Sequence, residues 1–152
     1  MRHILTQHPE GLRFTRRLDH EVPPVVAQLG WRFHHIGIPT SVVHDPETHL
    51  KPFGLHVSGF STSPYGVEWM RFENDSPLHK LIRNVPHVAF EVHDLDAALE
   101  GQEIIHPPGS PSDGVRSAMI VHNGAPVEFI WFRKRHDIDV GQAPCLLDPR
   151  VA

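Results

Sequence analysis

The chain has 152 residues, enough to bury one apolar core, with 39% hydrophobic and 21% charged residues and a formal net charge of −4. A pI near 6.4 provides no basic field for nucleic acid, no apolar run approaches the length needed to cross a bilayer, and the first ten residues lack the apolar core of a secretion signal. Cys145 is the only cysteine and cannot form an internal disulfide, so a cytoplasmic setting is the expectation.

Residues 1–30 read as a lead-in segment. Within it, EVPPVVAQLG (21–30) predicts a short helix that starts after the prolines and closes on Gly30. WRFHHIGIP (31–39) predicts a strand ended by Pro39. Residues 40–53 contain Pro46 and Pro52, show no helical period and read as loop. Strands are expected at 55–60 and 67–72, separated by the turn-rich STSPYG. Ser76-Pro77 then predicts a helix running to Arg83, with serine as its cap and proline at its first position.

The second half follows the same plan. PHVAFEV (86–92) predicts a strand, and DLDAALE (94–100) a short helix capped by Asp94 and stopped near Gly101. A brief strand at 103–106 and a loop at 107–114 (PPGSPSDG) follow. Residues 115–122 and 127–132 are expected to pair as a hairpin across Asn123-Gly124. Residues 134–152 form a C-terminal tail.

The two halves align as an internal repeat. HHIGIP matches PHVAFEV so that His35 falls on His87, an offset of 52 residues; VEWMRF matches VEFIWF so that Glu68 falls on Glu128, an offset of 60. The difference lies in interior loops, where length changes are tolerated. We therefore expect tandem strand-rich modules at 31–75 and 84–133, the first without its helix.

Side chains alternate faces along a strand, so His35, Gly37 and Pro39 should share one face, with His34, Ile36 and Ile38 on the other. His87 lies with Ala89 and Glu91, Glu68 with Met70 and Phe72, and Glu128 with Ile130 and Phe132. An unpaired carboxylate inside an apolar strand costs on the order of 2–7 kcal/mol or more, and a bound cation removes that cost. Two imidazoles and two carboxylates suit a divalent Zn, Ni, Fe, Co or Mn ion with positions open to water or substrate. Fourteen histidines match the fourteen Lys plus Arg, which favours metal or acid–base chemistry. A lone histidine without a counterpart in the other module reads as structural or surface, which covers His44, His49, His56, His79, His93, His106, His122 and His136. Glu91, on the His87 face, reads as readily as a rim residue as a catalytic one, and 133–136 (RKRH) as a solvated strand exit.

HHIGIP, VEWMRF, HVAFEVHDLDAAL and APVEFIWF, in that order on a repeat, resemble the vicinal oxygen chelate superfamily over residues 31–133. That superfamily includes glyoxalase I, methylmalonyl-CoA epimerase, extradiol dioxygenases and fosfomycin-resistance proteins. The resemblance implies an α+β fold, a pair of βαβββ modules forming a cupped mixed sheet around a metal. By position it places the metal on His35, Glu68, His87 and Glu128. The full quartet is similar to glyoxalase-type enzymes: a substrate with vicinal oxygens chelates the metal, and Glu128 or Glu68, with a lean to Glu128, moves a neighbouring proton. The implied activity is that of an isomerase or lyase. A non-catalytic small-molecule binding protein and an Fe(II) dioxygenase are the alternatives. The modules could pair within one chain or between two chains of a homodimer; the expected partner is otherwise a small-molecule substrate.

Overall fold

A computed structural model describes residues 16–133; the C-terminal tail, with His136 and Cys145, and the first fifteen residues lie outside the described region. Eight strands form one curled mixed sheet: β1 (Arg32–Pro39), β2 (Thr48–Leu50), β3 (Leu55–Ser58), β4 (Val67–Phe72), β5 (His87–Glu91), β6 (Ile104–Ser112), β7 (Val115–His122) and β8 (Ala125–Phe132). Among the described residues three short α-helices accompany them: α1 (Pro24–Ala27), α2 (Lys80–Asn84) and α3 (Leu95–Leu99). The sheet order is β2-β3-β4-β1-β5-β8-β7-β6. From the central β1–β5 seam, each half runs outward through its first, fourth, third and second strand. β1–β4 and β5–β8 are parallel, and the seam and the other pairs are antiparallel. Both halves of the sheet thus pair within one chain.

Local chemistry accounts for most element boundaries. Asp94 caps α3 by accepting the Ala97 N–H at 3.1 Å, and Gly101 turns the chain away at φ +72°. Asn123 and Gly124 both have positive φ (52° and 77°), as the tight turn between β7 and β8 requires. The helix expected to start after the prolines begins at the second of them and runs Pro24–Ala27, ending before Gly30, which reverses direction at φ +68°.

Four expectations change. Residues 40–53 are not all loop: β2 pairs with β3, and Lys51–Phe53 form a 3-10 turn. The strand expected at 55–60 ends at Ser58, because Gly59 turns at φ +87° into a second 3-10 turn, Phe60–Thr62. The helix expected from Ser76 starts at Lys80. His79 caps it by accepting the Leu81 N–H at 3.1 Å, while the Ser76 hydroxyl donates to the Phe53 carbonyl at 2.6 Å. The loop expected at 107–114 is mostly strand: β6 continues to Ser112 at the sheet edge with repeated register shifts, an arrangement that tolerates Pro107, Pro108 and Pro111.

The two faces of the sheet have different roles. On the outer face of the second half, α3 packs Leu95, Ala98 and Leu99 against Val92, Ala118, Ile120 and Phe129, with Trp31 edge-on to Phe129 at 5.0 Å. Among the described residues no helix lies between β1 and β2, so the first half lacks an equivalent cover. On the inner face, Leu55, Val57 and Met70 form one apolar cluster and Ala89, Val115 and Ile130 another. The site lies between these two clusters.

Candidate metal centre

Register alone brings the four predicted residues together. Gly37 on β1 is opposite Glu68 on β4 and His87 on β5, giving the row Glu68–Gly37–His87. Ala89 on β5 is opposite His35 on β1 and Glu128 on β8, giving the row His35–Ala89–Glu128. Paired residues share a face, and so do positions 35 and 37 of one strand. All four side chains therefore project from the inner face beside the seam.

Three of them converge. The Nε2 atoms of His35 and His87 are 3.2 Å apart, and Glu128 Oε2 is 3.3 Å from the first and 3.2 Å from the second. Ligands about 2.0–2.1 Å from a common ion are spaced about 2.9–3.4 Å from one another, so the triad matches the outline of a coordination shell. His35 and His87 are buried, and the Glu128 side chain is 14% exposed. Glu68 stands outside that triad. It is fully buried, and among the described residues neither carboxylate oxygen has a hydrogen-bond partner; His87 Nδ1 is likewise unpartnered among them. An orphaned acid beside a His–His–Glu triad is a donor set that a divalent cation would satisfy.

The two carboxyls differ electrostatically. Burial pushes the Glu68 acid well above the usual carboxylate range, and the nearby Glu128 charge adds to the effect. Burial would also raise Glu128, but hydrogen bonds from His35 and His87 outweigh it and hold Glu128 below the usual range. A cavity of about 100 Å³ opens on the site, with Glu68, His87 and Glu128 in its wall. The rest of the wall is mainly apolar, including Leu55, Met70, Ile82 and Met119, and contains no lysine or arginine among the described residues.

Gly37 has to be small. A Cβ there would overlap the His87 ring and lie 2.7 Å from the Met70 sulfur. Ala89, its counterpart in the other row, is fully buried.

His34 departs from the alternation expected of it. The β1–β5 register shifts between Phe33 and His35, and this bulge turns the His34 ring inward. Its Nδ1 lies 2.8 Å from His35 Nδ1, and the ring stacks on Phe60 with centroids 5.2 Å apart. Burial, then the neighbouring His35, lowers its pKa to about 4, so its ring is neutral at pH 7 and its Nδ1 can accept a hydrogen bond from His35 Nδ1. An acceptor behind a histidine fixes which nitrogen faces the site. Sequence alternation could not reveal this role because nothing in RFHHIG marks the extra residue. His106, read as a surface residue, lines the cavity. Glu91 pairs with Arg32 at 3.3 Å and its side chain is 29% exposed.

No family model matches the chain, and no curated protein matches it. Among solved structures, a hypothetical protein from Bacillus halodurans C-125 is similar with a TM-score of 0.52 at 18% identity, covering 68% of this chain and 96% of that one. Methylmalonyl-CoA epimerase from Mycobacterium tuberculosis gives a TM-score of 0.41, also at 18% identity, covering 76% of this chain and 80% of that one. The first likeness is one of fold alone. Among the described residues no helix is long and apolar enough to cross a membrane.

Proposed function

We propose that the chain is a metal-dependent enzyme of the vicinal oxygen chelate type, an isomerase or lyase that moves a proton on a small substrate with adjacent oxygens. The observation that carries this reading is the His35–His87–Glu128 triad with the buried, unpartnered Glu68 beside it. These four residues would hold a divalent Zn, Ni, Fe, Co or Mn ion, which when bound supplies Lewis-acid stabilisation of negative charge on substrate oxygen. Glu128, kept ionised by two imidazoles, is suited to permanent ligation. Although the sequence leans to Glu128 as the base, the raised affinity of Glu68 for a proton favours Glu68 as the carrier. The apolar wall excludes water around the reacting carbon. With no lysine or arginine lining it among the described residues, the cavity suits a compact substrate without a phosphate in the pocket. A cytoplasmic location and homodimer formation accompany this reading as proposals.

Purified protein should carry metal of which about one equivalent per chain is lost in His87→Ala or Glu128→Ala, read by elemental analysis. Incubated in heavy water with a panel of small α-oxo and α-hydroxy compounds, the metal-loaded protein should exchange a carbon-bound proton, and Glu68→Gln should slow that exchange by roughly 10²–10⁴-fold. Absence of both metal and exchange removes the proposal. Tight ligand binding indifferent to chelators would instead mark a binding protein, and oxygen uptake with an aromatic diol an Fe(II) dioxygenase.

A further inference from the structure

We propose that the outer face of the first half-sheet carries a second divalent-metal site, formed by His49, His56 and Glu73. His49 on β2 and His56 on β3 are cross-strand partners, and their rings stack in parallel with centroids 4.1 Å apart and planes 4° apart. Each directs its Nε2 to the same Glu73 oxygen, Oε1, at 2.9 Å from His49 and 3.1 Å from His56. These spacings fall within the edge lengths of a shell with bonds of about 2.0–2.1 Å. The backbone supports are fixed: the histidines occupy paired strands, and the Glu73 N–H donates to the Gly54 carbonyl at 2.8 Å.

The surroundings also carry charge. His56 Nδ1 lies 3.9 Å from Glu47 Oε1, beyond hydrogen-bond distance, and Glu47 is held by two 2.8 Å hydrogen bonds from Arg71. Glu47 adds a fixed negative charge close to the cluster. Glu47 and Glu73 outnumber Arg71 in charge, leaving the cluster favourable to a cation. His49 and Glu73 are 36% and 37% exposed at the side chain, so water can complete the coordination and the ion can exchange. Two imidazoles and one carboxylate favour Zn²⁺, Ni²⁺ or Cu²⁺ over Ca²⁺ or Mg²⁺.

The position gives such a site a consequence. In the second half, Trp131, the repeat equivalent of Arg71, packs on the core beneath α3; the first half has a polar cluster at this place and, among the described residues, no helix over it. A metal there would fasten β2, a three-residue edge strand, to β3 and to the end of β4. Leu50, Phe53 and Leu55 of the same segment form part of the cavity wall on the opposite face. Metal on the outside would therefore stiffen the pocket inside.

Equilibrium dialysis against buffered sub-micromolar zinc tests the site on the full chain. Wild type should bind about two ions, while Glu128→Ala and the double variant His49→Ala/His56→Ala should each bind about one. Glu73→Gln, a change at a side chain more than one-third exposed, gives a second readout that does not risk the fold. In the Glu128→Ala background zinc should raise the melting temperature by several degrees, and adding Glu73→Gln should abolish most of that shift. The proposal is overturned if Glu128→Ala removes all bound zinc, or if the His49 and His56 substitutions leave stoichiometry unchanged. Loss of zinc in the outer-face variants with none in Glu128→Ala would support this site and reject the inner one.

Discussion

Glu68 and Glu128 occupy equivalent positions in the repeat, yet among the described residues one carboxyl has no hydrogen-bond partner and the other is bracketed by two imidazoles. Proton affinity follows from that difference. Because folding raises the Glu68 pKa, folding takes up a proton there; the stability linked to it is present at low pH and lost as pH rises through the folded-state value. Glutamine imitates the protonated acid at every pH. In metal-free protein Glu68→Gln should therefore be stabilising by about 1–3 kcal/mol near pH 8, with a much smaller gain near pH 5, as read from melting curves. An equal shift at both pH values would contradict a raised acid. Glu128 follows the opposite sign: its contribution is present at neutral pH and lost as pH falls through its lowered folded-state value.

Strand register is the element-scale device that assembles the site, and it depends on two small residues, Gly37 and Ala89. Gly37→Ala should cost about 1–3 kcal/mol, as overpacking typically does, and should weaken metal binding by displacing His87. Denaturation midpoints and metal titration on one preparation check both effects; a stable variant with unchanged metal affinity would show that the His87 ring is less confined. Register was legible in the sequence where the repeat was: HHIGIP against PHVAFEV and VEWMRF against VEFIWF place four residues on one face, and the structure does the same. It was not legible where pairing is long-range and local propensity weak. THL (48–50) is too short and too close to Pro46 and Pro52 to declare a strand, so His49 had no visible partner in His56. The prolines of β6 hid a strand in the same way, and a bulge without glycine left His34 on the wrong face.

Over the whole molecule, the triad draws His35 from the first half and His87 and Glu128 from the second, so it exists only once the seam is formed. An ion bound there would add its binding energy to the cohesion of both halves. Stripping metal from the loaded protein should lower its melting temperature by several degrees, on the order of 3–4 kcal/mol for ion at ~100–1,000 times its Kd. That sensitivity should fall in Glu128→Ala, as followed by calorimetry with and without chelator.

The two margins of the sheet bear on how copies can meet. β6 presents Pro107, Pro108 and Pro111, none of which has an amide proton to offer a neighbour, and β2 is only three residues long. Neither border can template a long run of added strand, so fibre-like growth by lateral stacking is discouraged at both ends. Pairing of strands between copies through either of these edges would thus be confined to a few residues.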